Sequence, residues 1–255
     1  MMTADEKTLL YGLLKSASDW TFGFSSPLFP GQVPAFEDDR AEDGGAARSD
    51  SAAGDGSPLS EAAGAMETLS SIRAKIASCS RCGLCRTRTN TVPGMGVEKP
   101  LVMVIGEGPG ESEDMTGLPF VGAAGQLLDR MLAAIGLSRA KNCYIANIVK
   151  CRPPGNRNPL PDEAAACRGF LDAQIAVLGP KAILCAGSVA VKNLLGTSAG
   201  VMRLHGKILD HGGIPALATF HPSALLRDPS NKRVAWEDLK IFRGKLLEID
   251  PGYAS

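Results

Sequence analysis

The sequence predicts an α/β fold in which a parallel sheet is covered by helices on both faces. Short apolar runs that suit buried strands alternate with longer segments of helical spacing, and parallel strands need such helical crossovers. The predicted strands are 101–105, 143–149, 181–186 and 215–220, and the predicted helices are 123–135, 162–178, 188–195 and 231–248. Because ligands bind at the carboxyl ends of parallel strands, the segments that follow these strands are candidates for a functional site.

Residues 1–65 differ in composition from the rest of the chain. Helical spacing of leucines predicts a short amphipathic helix within 3–22, and residues 23–65 are rich in Gly, Ala, Ser, Pro and acidic residues. Few large apolar residues occur there, so this stretch is expected to be a disordered linker. The sequence therefore predicts a flexible N-terminal extension over 1–65 and one folded domain over 66–255.

A formal net charge of zero conceals an uneven charge distribution. Residues 1–65 carry 11 acidic and 4 basic side chains, whereas residues 66–255 carry 16 acidic and 23 basic ones. This asymmetry is typical of a polyanion-binding domain with an acidic extension, although chance surface composition explains it equally well. The chain has neither an apolar run long enough to span a membrane nor the basic and apolar start of a secretory signal. We therefore expect a cytoplasmic protein.

Five of the seven cysteines have a spacing that is typical of metal ligands. They are Cys79, Cys82, Cys85, Cys151 and Cys167. In a reducing compartment such thiols are more often metal ligands than disulfide partners, and the spacing leaves both zinc and a [4Fe–4S] cluster open. Cys143 and Cys185 lie within apolar strands, where we expect small buried thiols.

Three of the predicted strands lead into unusual segments, at 106–122, 150–160 and 221–227. The first begins as Gly106-Glu-Gly-Pro-Gly110 but lacks the third glycine of a dinucleotide-binding fingerprint, because Glu111 occupies that position. Phe120 lies in a loop and is either a core residue or a platform on which a base stacks. His221 directly follows the last strand, where a histidine is well placed for chemistry.

These segments resemble the family 4 uracil-DNA glycosylases, the iron–sulfur type, over about residues 66–250. Four motifs carry the resemblance: Gly-Glu-x-Pro-Gly with Glu-Asp (106–114), Gly-x-Pro-Phe-Val-Gly (117–122), Asn-x-Val-Lys-Cys-Arg-Pro-Pro (147–154) and His-Pro-Ser-x-Leu-Leu (221–226). The resemblance implies a three-layer α/β/α fold with a central four-stranded parallel sheet. It also implies hydrolysis of the N-glycosidic bond of uracil in DNA, which leaves an abasic site.

The resemblance further implies that the cysteines bind a [4Fe–4S] cluster. The implied ligands are Cys82, Cys85, Cys151 and Cys167. Cys79 is then not a ligand, or it replaces one of the four if the alignment of the cysteines with the family differs. The cluster is expected to be structural, since base excision requires no redox step.

The resemblance also implies how an extruded uracil is bound. Phe120 stacks on the base and Asn147 reads its Watson–Crick edge, for which an amide offers both a donor and an acceptor. Backbone groups near Gly106 and Gly108 line the same pocket. Glu113 lies near the position from which other families exclude the methyl group of thymine.

The remaining roles concern the reaction and the DNA. His221 is expected to stabilise the departing uracil, and Glu107 either stabilises the cationic sugar, orients water or braces its loop. A leucine is expected to fill the gap left by the flipped base while an arginine contacts a phosphate. The expected DNA contacts are Ser223, Leu225, Leu226 and Arg227.

Some relatives carry a Lys-Arg-Arg-Ile-His insertion whose histidine becomes attached to DNA, but residues 150–161 contain no histidine. Covalent trapping is therefore not expected. Two alternatives remain open: a non-enzymatic DNA-binding protein with a structural metal, and a metal-dependent hydrolase or redox protein. The expected partners are single- or double-stranded DNA that contains uracil and a replication or repair protein bound through residues 1–36. The sequence predicts a monomer.

Overall fold

A computed structural model of the chain describes residues 67–254. The predicted N-terminal helix, the linker after it and the partner-binding segment within 1–36 lie outside the described residues. Within 67–254 the predicted α/β fold is confirmed, since helices and strands alternate around one sheet.

The described residues form six strands and eight α-helices. In chain order the strands are β1 (Met95–Gly96), β2 (Val102–Gly106), β3 (Cys143–Asn147), β4 (Ala182–Ala186), β5 (Ile208–His211) and β6 (Ile214–Thr219). The helices are α1 (Leu69–Ala77), α2 (Glu111–Thr116), α3 (Ala123–Ala133), α4 (Pro161–Leu178), α5 (Ser188–Leu195), α6 (Val201–Leu204), α7 (Pro222–Arg227) and α8 (Lys232–Ile249). Short 3-10 helices occupy Gly83–Arg86, Pro154–Asn156 and Pro229–Asn231. None of the helices described between 67 and 254 has the length and apolar character needed to cross a bilayer.

The sheet contains the four parallel strands that were predicted and two edge strands that were not. Its order is β1-β3-β2-β4-β6-β5, and the four inner strands pair in parallel. β1 and β5 add to the edges in the antiparallel direction. Every residue of β2, β3 and β4 is buried, which explains why these strands read as continuous apolar runs.

The connections between the inner strands produce three layers. The chain crosses from β2 to β3 in one direction and from β3 back over β2 to β4 in the other. Right-handed crossovers in opposite directions place α3 and α4 on opposite faces of the sheet. Both faces of the inner strands are thereby covered, as the sequence predicted.

The two cysteines within strands are buried thiols, as predicted. Cys143 in β3 and Cys185 in β4 are almost fully enclosed. Burial raises the pKa of each thiol to about 12, because a thiolate is poorly solvated in an apolar core. Neither thiol is therefore suited to metal binding or nucleophilic chemistry.

Truncation of Leu132 tests the packing of α3. Leu132 is fully buried, so Leu132→Ala should lower the free energy of unfolding by about 2–5 kcal/mol in urea denaturation. Leu247→Ala on α8 is the matched control, because this leucine is 38% exposed and its loss should cost roughly 0.5 kcal/mol or less. Equal losses in the two variants would contradict the placement of α3 in the core.

Candidate functional site

The carboxyl ends of the four parallel strands open into a cleft of about 480 Å³, a volume within the usual range of small-molecule sites. The strand order reverses between β2 and β4, where open α/β sheets bind their ligands. Segments that follow all four strands line the cleft. The predicted site residues among its lining are Glu107, Gly108, Glu113, Phe120, Asn147, His221, Ser223 and Arg227.

Gly106 brings two predicted site residues together. A Cβ atom at position 106 would lie 2.5 Å from both Phe120 Cζ and Asn147 Oδ1, so only glycine leaves room for both side chains. Phe120 is buried, and its ring centroid lies 5.6 Å from that of His221. Phe120 therefore combines the two interpretations of the sequence, since it packs in the core and also lines the cleft.

Asn147 brings a buried amide to the wall of the cleft. The residue is buried, and its Oδ1 has no hydrogen-bond partner within residues 67–254. A buried acceptor without a partner costs about 1–3 kcal/mol, which a ligand with an N–H donor would offset. Lys150 Nζ donates to the Asn147 carbonyl oxygen at 2.8 Å and to Gln174 Oε1 at 2.7 Å, which fixes the end of β3.

Glu113 braces the loops on both sides of α2. Its Oε1 accepts from the backbone N–H groups of Val121 at 2.8 Å and Gly122 at 3.0 Å, and its Oε2 accepts from that of Gly110 at 3.1 Å. Both carboxylate oxygens are therefore occupied by the protein. Exclusion of a methyl group by this side chain stays a prediction.

His221 is a neutral hydrogen-bond donor. It precedes α7, and the backbone N–H of Ser223 donates to its Nδ1 at 3.2 Å. Since an amide can only donate, Nδ1 accepts and the proton of the neutral ring lies on Nε2. The pKa of His221 is lowered to about 4, chiefly by burial and also by the charge of Arg227, while Glu113 opposes the shift. At neutral pH the ring therefore carries an Nε2–H and no charge.

Glu107 lines the cleft with a partly buried carboxyl group. Burial raises its pKa, and the charge of Arg227 opposes that shift. Among residues 67–254 its carboxylate has no hydrogen-bond partner, so the contacts give no support to a bracing role. The group is free to act on a ligand or a water molecule.

The leucines of α7 differ in exposure. Leu225 is 2% exposed and belongs to the core, whereas Leu226 is 43% exposed. Successive residues on a helix point about 100° apart, so here Leu225 faces the core and Leu226 faces outward. The contact of either side chain with DNA stays a prediction, and the exposure favours Leu226. Arg227 is exposed beside it and reaches the cleft.

Five cysteines line a second cavity. They are Cys79, Cys82, Cys85, Cys151 and Cys167. Within 67–254 no three Cys, His, Asp or Glu side chains are positioned to hold a single metal ion. Thiolates bind both zinc and iron–sulfur clusters, so this cavity is the candidate site for either.

The electrostatic contacts group four of these thiols. Burial raises the pKa of Cys167, and the charges of Cys79 and Cys82 raise it further. Burial likewise raises the pKa of Cys151, with added contributions from Cys167 and Cys82. Cys85 contributes to neither shift. Cys79 is therefore closer than Cys85 to Cys167, while the charges of both raise the pKa of Arg88, and the choice between them as the fourth ligand stays a prediction.

Two cationic side chains reach the same cavity. Arg88 Nη1 donates to Cys151 Sγ at 3.1 Å. Lys150 is fully buried, and burial lowers its pKa to about 8 against the opposing charge of Cys167. Positive groups beside the cysteines favour thiolates, which are the form that binds metal.

One wall of the cleft was not expected from the sequence. Gly187 and Ser188 follow β4, and a Cβ atom on Gly187 would lie 2.9 Å from His221 Cβ. The available signal was a glycine directly after the predicted strand 181–186. Another wall is the loop 153–158, which belongs to the candidate segment 150–160 and in which Arg157 forms a bidentate pair with Glu163 at 2.7 and 2.8 Å.

Comparisons with known proteins give a consistent result. The family model described as Uracil DNA glycosylase superfamily matches residues 93–240. The type-4 uracil-DNA glycosylase of Thermotoga maritima is 42% identical over 68% of this chain and 92% of its own length. That of Archaeoglobus fulgidus is 42% identical over 69% and 92%. A type-5 uracil-DNA glycosylase of Pyrobaculum aerophilum is 31% identical over 52% and 66%.

The tautomer of His221 can be tested by nitrogen NMR of the imidazole, with His221→Ala used to assign the signals. The ring should remain neutral with its proton on Nε2 from pH 8 to about pH 5 and should titrate near its pKa of about 4. Between the usual value of about 6.5 and that pKa, the unfolded state binds a proton that the folded state does not. The contribution of His221 to stability should therefore fall as the pH decreases through this window. An imidazolium at pH 6 would contradict the assignment.

Proposed function

The chain belongs to the uracil-DNA glycosylase superfamily as a type-4 enzyme that excises uracil from DNA, and we propose that the extruded base is held in the cleft beside Asn147 and His221. The observation that carries this proposal is the buried amide of Asn147, a residue of the cleft wall whose Oδ1 has no hydrogen-bond partner within residues 67–254. Uracil supplies the N–H donor that this acceptor lacks. The volume of the cleft suits a single extruded nucleotide.

The proposed recognition uses one ring and one amide. Phe120 stacks on the flat face of uracil, and Asn147 accepts from uracil N3–H through Oδ1 while its amino group donates to O4. Cytosine presents an acceptor at N3 and an amino group at position 4, so both hydrogen bonds would be reversed. Because a mismatch leaves buried polar groups unpaired, this pair of contacts favours uracil strongly.

The proposed chemistry is hydrolysis at C1′. The C1′–N1 bond breaks and the electron pair leaves with uracil. The oxygen of a water molecule bonds to the cationic C1′ as that water loses a proton, and the uracil anion takes up one proton at N1, so the products are an abasic sugar and neutral uracil. His221 donates its Nε2–H to an oxygen of the departing base, a contact worth about 3–4 kcal/mol when well aimed. Glu107 stabilises the cationic sugar or orients the water, and the absence of a hydrogen-bond partner for its carboxylate among residues 67–254 supports that role.

The proposed DNA contacts come from α7. Leu226 fills the space left by the flipped nucleotide, since its side chain is exposed beside the cleft. Ser223 and Arg227, which lie on the same helix, contact the sugar-phosphate backbone of the DNA. An arginine at the cleft mouth also attracts the phosphate next to the target base.

The proposed cofactor is a [4Fe–4S] cluster held by Cys79, Cys82, Cys151 and Cys167. Their shared cavity and the cationic groups around it fit a thiolate-bound cluster. When bound, the cluster supplies a cross-link between two distant segments of the chain. Residues 152–166 lie between two of the ligands and include the loop that lines the cleft, so the cross-link helps to shape the active site.

We assign the glycosylase activity to residues 66–255 and treat residues 1–65 as a separate extension. Residues 1–36 are the proposed binding segment for a replication or repair protein. The enzyme is proposed to act as a monomer in the cytoplasm, at the nucleoid.

Excision should depend on the two central residues. His221→Ala and Asn147→Ala should each lower the rate of uracil release about 10²–10³-fold, because each removes a directed contact to the base. The measurement is alkaline cleavage of a labelled oligonucleotide with one uracil. His211→Ala on the edge strand β5 is the control and should retain the wild-type rate. A wild-type protein that binds this DNA without cleavage would favour the non-enzymatic alternative.

Iron content should separate the two candidate ligands. After anaerobic purification, Cys79→Ser should lose most of its iron and its visible absorbance, because the thiol near Cys167 is removed. Cys85→Ser, the matched control on the same segment, should keep both. The opposite pattern would restore Cys85 as the fourth ligand.

A further inference from the structure

Phe120 has a strained backbone that something must hold in place. Its φ is 53°, in the left-handed region that bulky side chains rarely adopt. Within residues 67–254 the only other non-glycine residue with positive φ is Asn156, and both line the cleft. Such strain typically persists at ligand sites where the surroundings over-determine the conformation.

Arg139 contacts the peptide groups on either side of this strained residue. Its Nη1 donates to the Pro119 carbonyl at 2.9 Å and its Nη2 donates to the Phe120 carbonyl at 3.0 Å. Asp129 Oδ1 accepts from Nε at 3.0 Å and from Nη2 at 2.8 Å, which orients the guanidinium. The arginine side chain is only 16% exposed, so these contacts are shielded from competing water.

Two further contacts fix the same turn from other directions. The carbonyl of Phe120 lies so close to Gly125 that a Cβ atom there would collide with it. Glu113 accepts from the two amides that follow Phe120, at Val121 and Gly122. Arg139 and Glu113 thus hold the carbonyl oxygen and the N–H of the peptide group that joins Phe120 to Val121.

We infer that Arg139, oriented by Asp129, is a positioning residue for the uracil-binding ring of Phe120. Arg139 does not line the cleft, so it acts on the base only through Phe120. A platform that is held in place before binding lowers the ordering cost of binding and keeps the base aligned for the reaction. The inference rests on the proposed role of Phe120 in stacking on uracil.

The planar guanidinium of Arg139, with several N–H donors in fixed directions, explains why another cation would not replace it. A guanidinium can donate to two neighbouring carbonyls and to a carboxylate in one plane, whereas an ammonium has no such fixed geometry. Without these donors the turn can relax to negative φ, which moves the ring relative to Asn147 and His221. Arg139→Lys should therefore recover only part of the activity that Arg139→Gln loses.

The inference can be tested with a double-mutant cycle in full-length, cluster-containing enzyme. Arg139→Gln should lower the single-turnover excision rate on the order of tenfold to a hundredfold, and it should weaken inhibition by free uracil by a similar factor. In the Phe120→Ala background the same substitution should cause no further loss, because the ring it positions is absent. Affinity for DNA with an abasic site should be unchanged, because such DNA offers no base to stack on.

Two further variants distinguish a loss of ring positioning from a general loss of stability. Asp129→Asn weakens the ion pair that orients Arg139, at a more exposed position. It should cause a smaller loss of the excision rate and of inhibition by uracil. Arg168→Gln is the matched control: this arginine also pairs with an aspartate, Asp172 at 2.6 Å, and donates to a carbonyl, that of Asn193 at 2.6 Å. It does not line the cleft, and its excision rate should equal that of the wild type.

The outcomes separate the inference from the proposed function. Losses from Arg139→Gln and Phe120→Ala that multiply in the double variant would overturn the inference, as would an equal loss of affinity for abasic DNA. Normal excision by Phe120→Ala would overturn the stacking role and the inference with it. Impaired Phe120→Ala with normal Arg139→Gln would overturn the inference alone.

Discussion

Two adjacent carboxylates on the six-residue helix α2 determine how the site is assembled. Glu113 accepts from backbone amides of the loops on both sides of α2, and Asp114 accepts from Thr89 N–H at 2.9 Å and Asn90 N–H at 3.2 Å. Buried carboxylates are stable only when their oxygens are satisfied, and hydrogen bonds from backbone amides satisfy both. One short helix thereby connects the wall of the cleft to the segment that follows Cys79–Cys85, and the loops of the active site depend on this connection.

The cysteine cavity and the cleft are also joined on their other side. Lys150 lines the cavity and fixes the carbonyl of Asn147, and Glu163 lines the cavity while it pairs with Arg157 at the cleft. A buried lysine and a buried glutamate are costly unless each finds partners, so these contacts also constrain the residues they reach. A structural cluster in the cavity can therefore influence base excision without taking part in it, because its protein surroundings hold two walls of the active site.

The fold could be predicted from the sequence because the inner strands are buried on both faces and read as apolar runs. β1 and β5 escaped prediction because two or four residues at a sheet edge leave little periodicity. The segments after three strands were identified by unusual residues, whereas Ser188 looks like any helix start. Arg139 could not be found, since its contacts to Phe120 are made 19 residues away in sequence. Sequence spacing also could not show that Leu225 is buried while Leu226 is exposed, or that Cys79 rather than Cys85 lies near Cys167.

The low pKa of His221, which burial and Arg227 cause, suits the charges that the proposed reaction would create. Cleavage produces negative charge on uracil and positive charge on the sugar, close together in the cleft. An imidazolium would stabilise the first but repel the second, whereas a neutral Nε2–H donor stabilises the anion without opposing the cation. Burial and Arg227 keep the ring neutral, and Ser223 N–H fixes the tautomer that presents the donor. In the proposed reaction Glu107 would supply the compensating negative charge for the sugar. Burial raises the pKa of Glu107, and the charge of Arg227 acts against that shift and so favours the carboxylate.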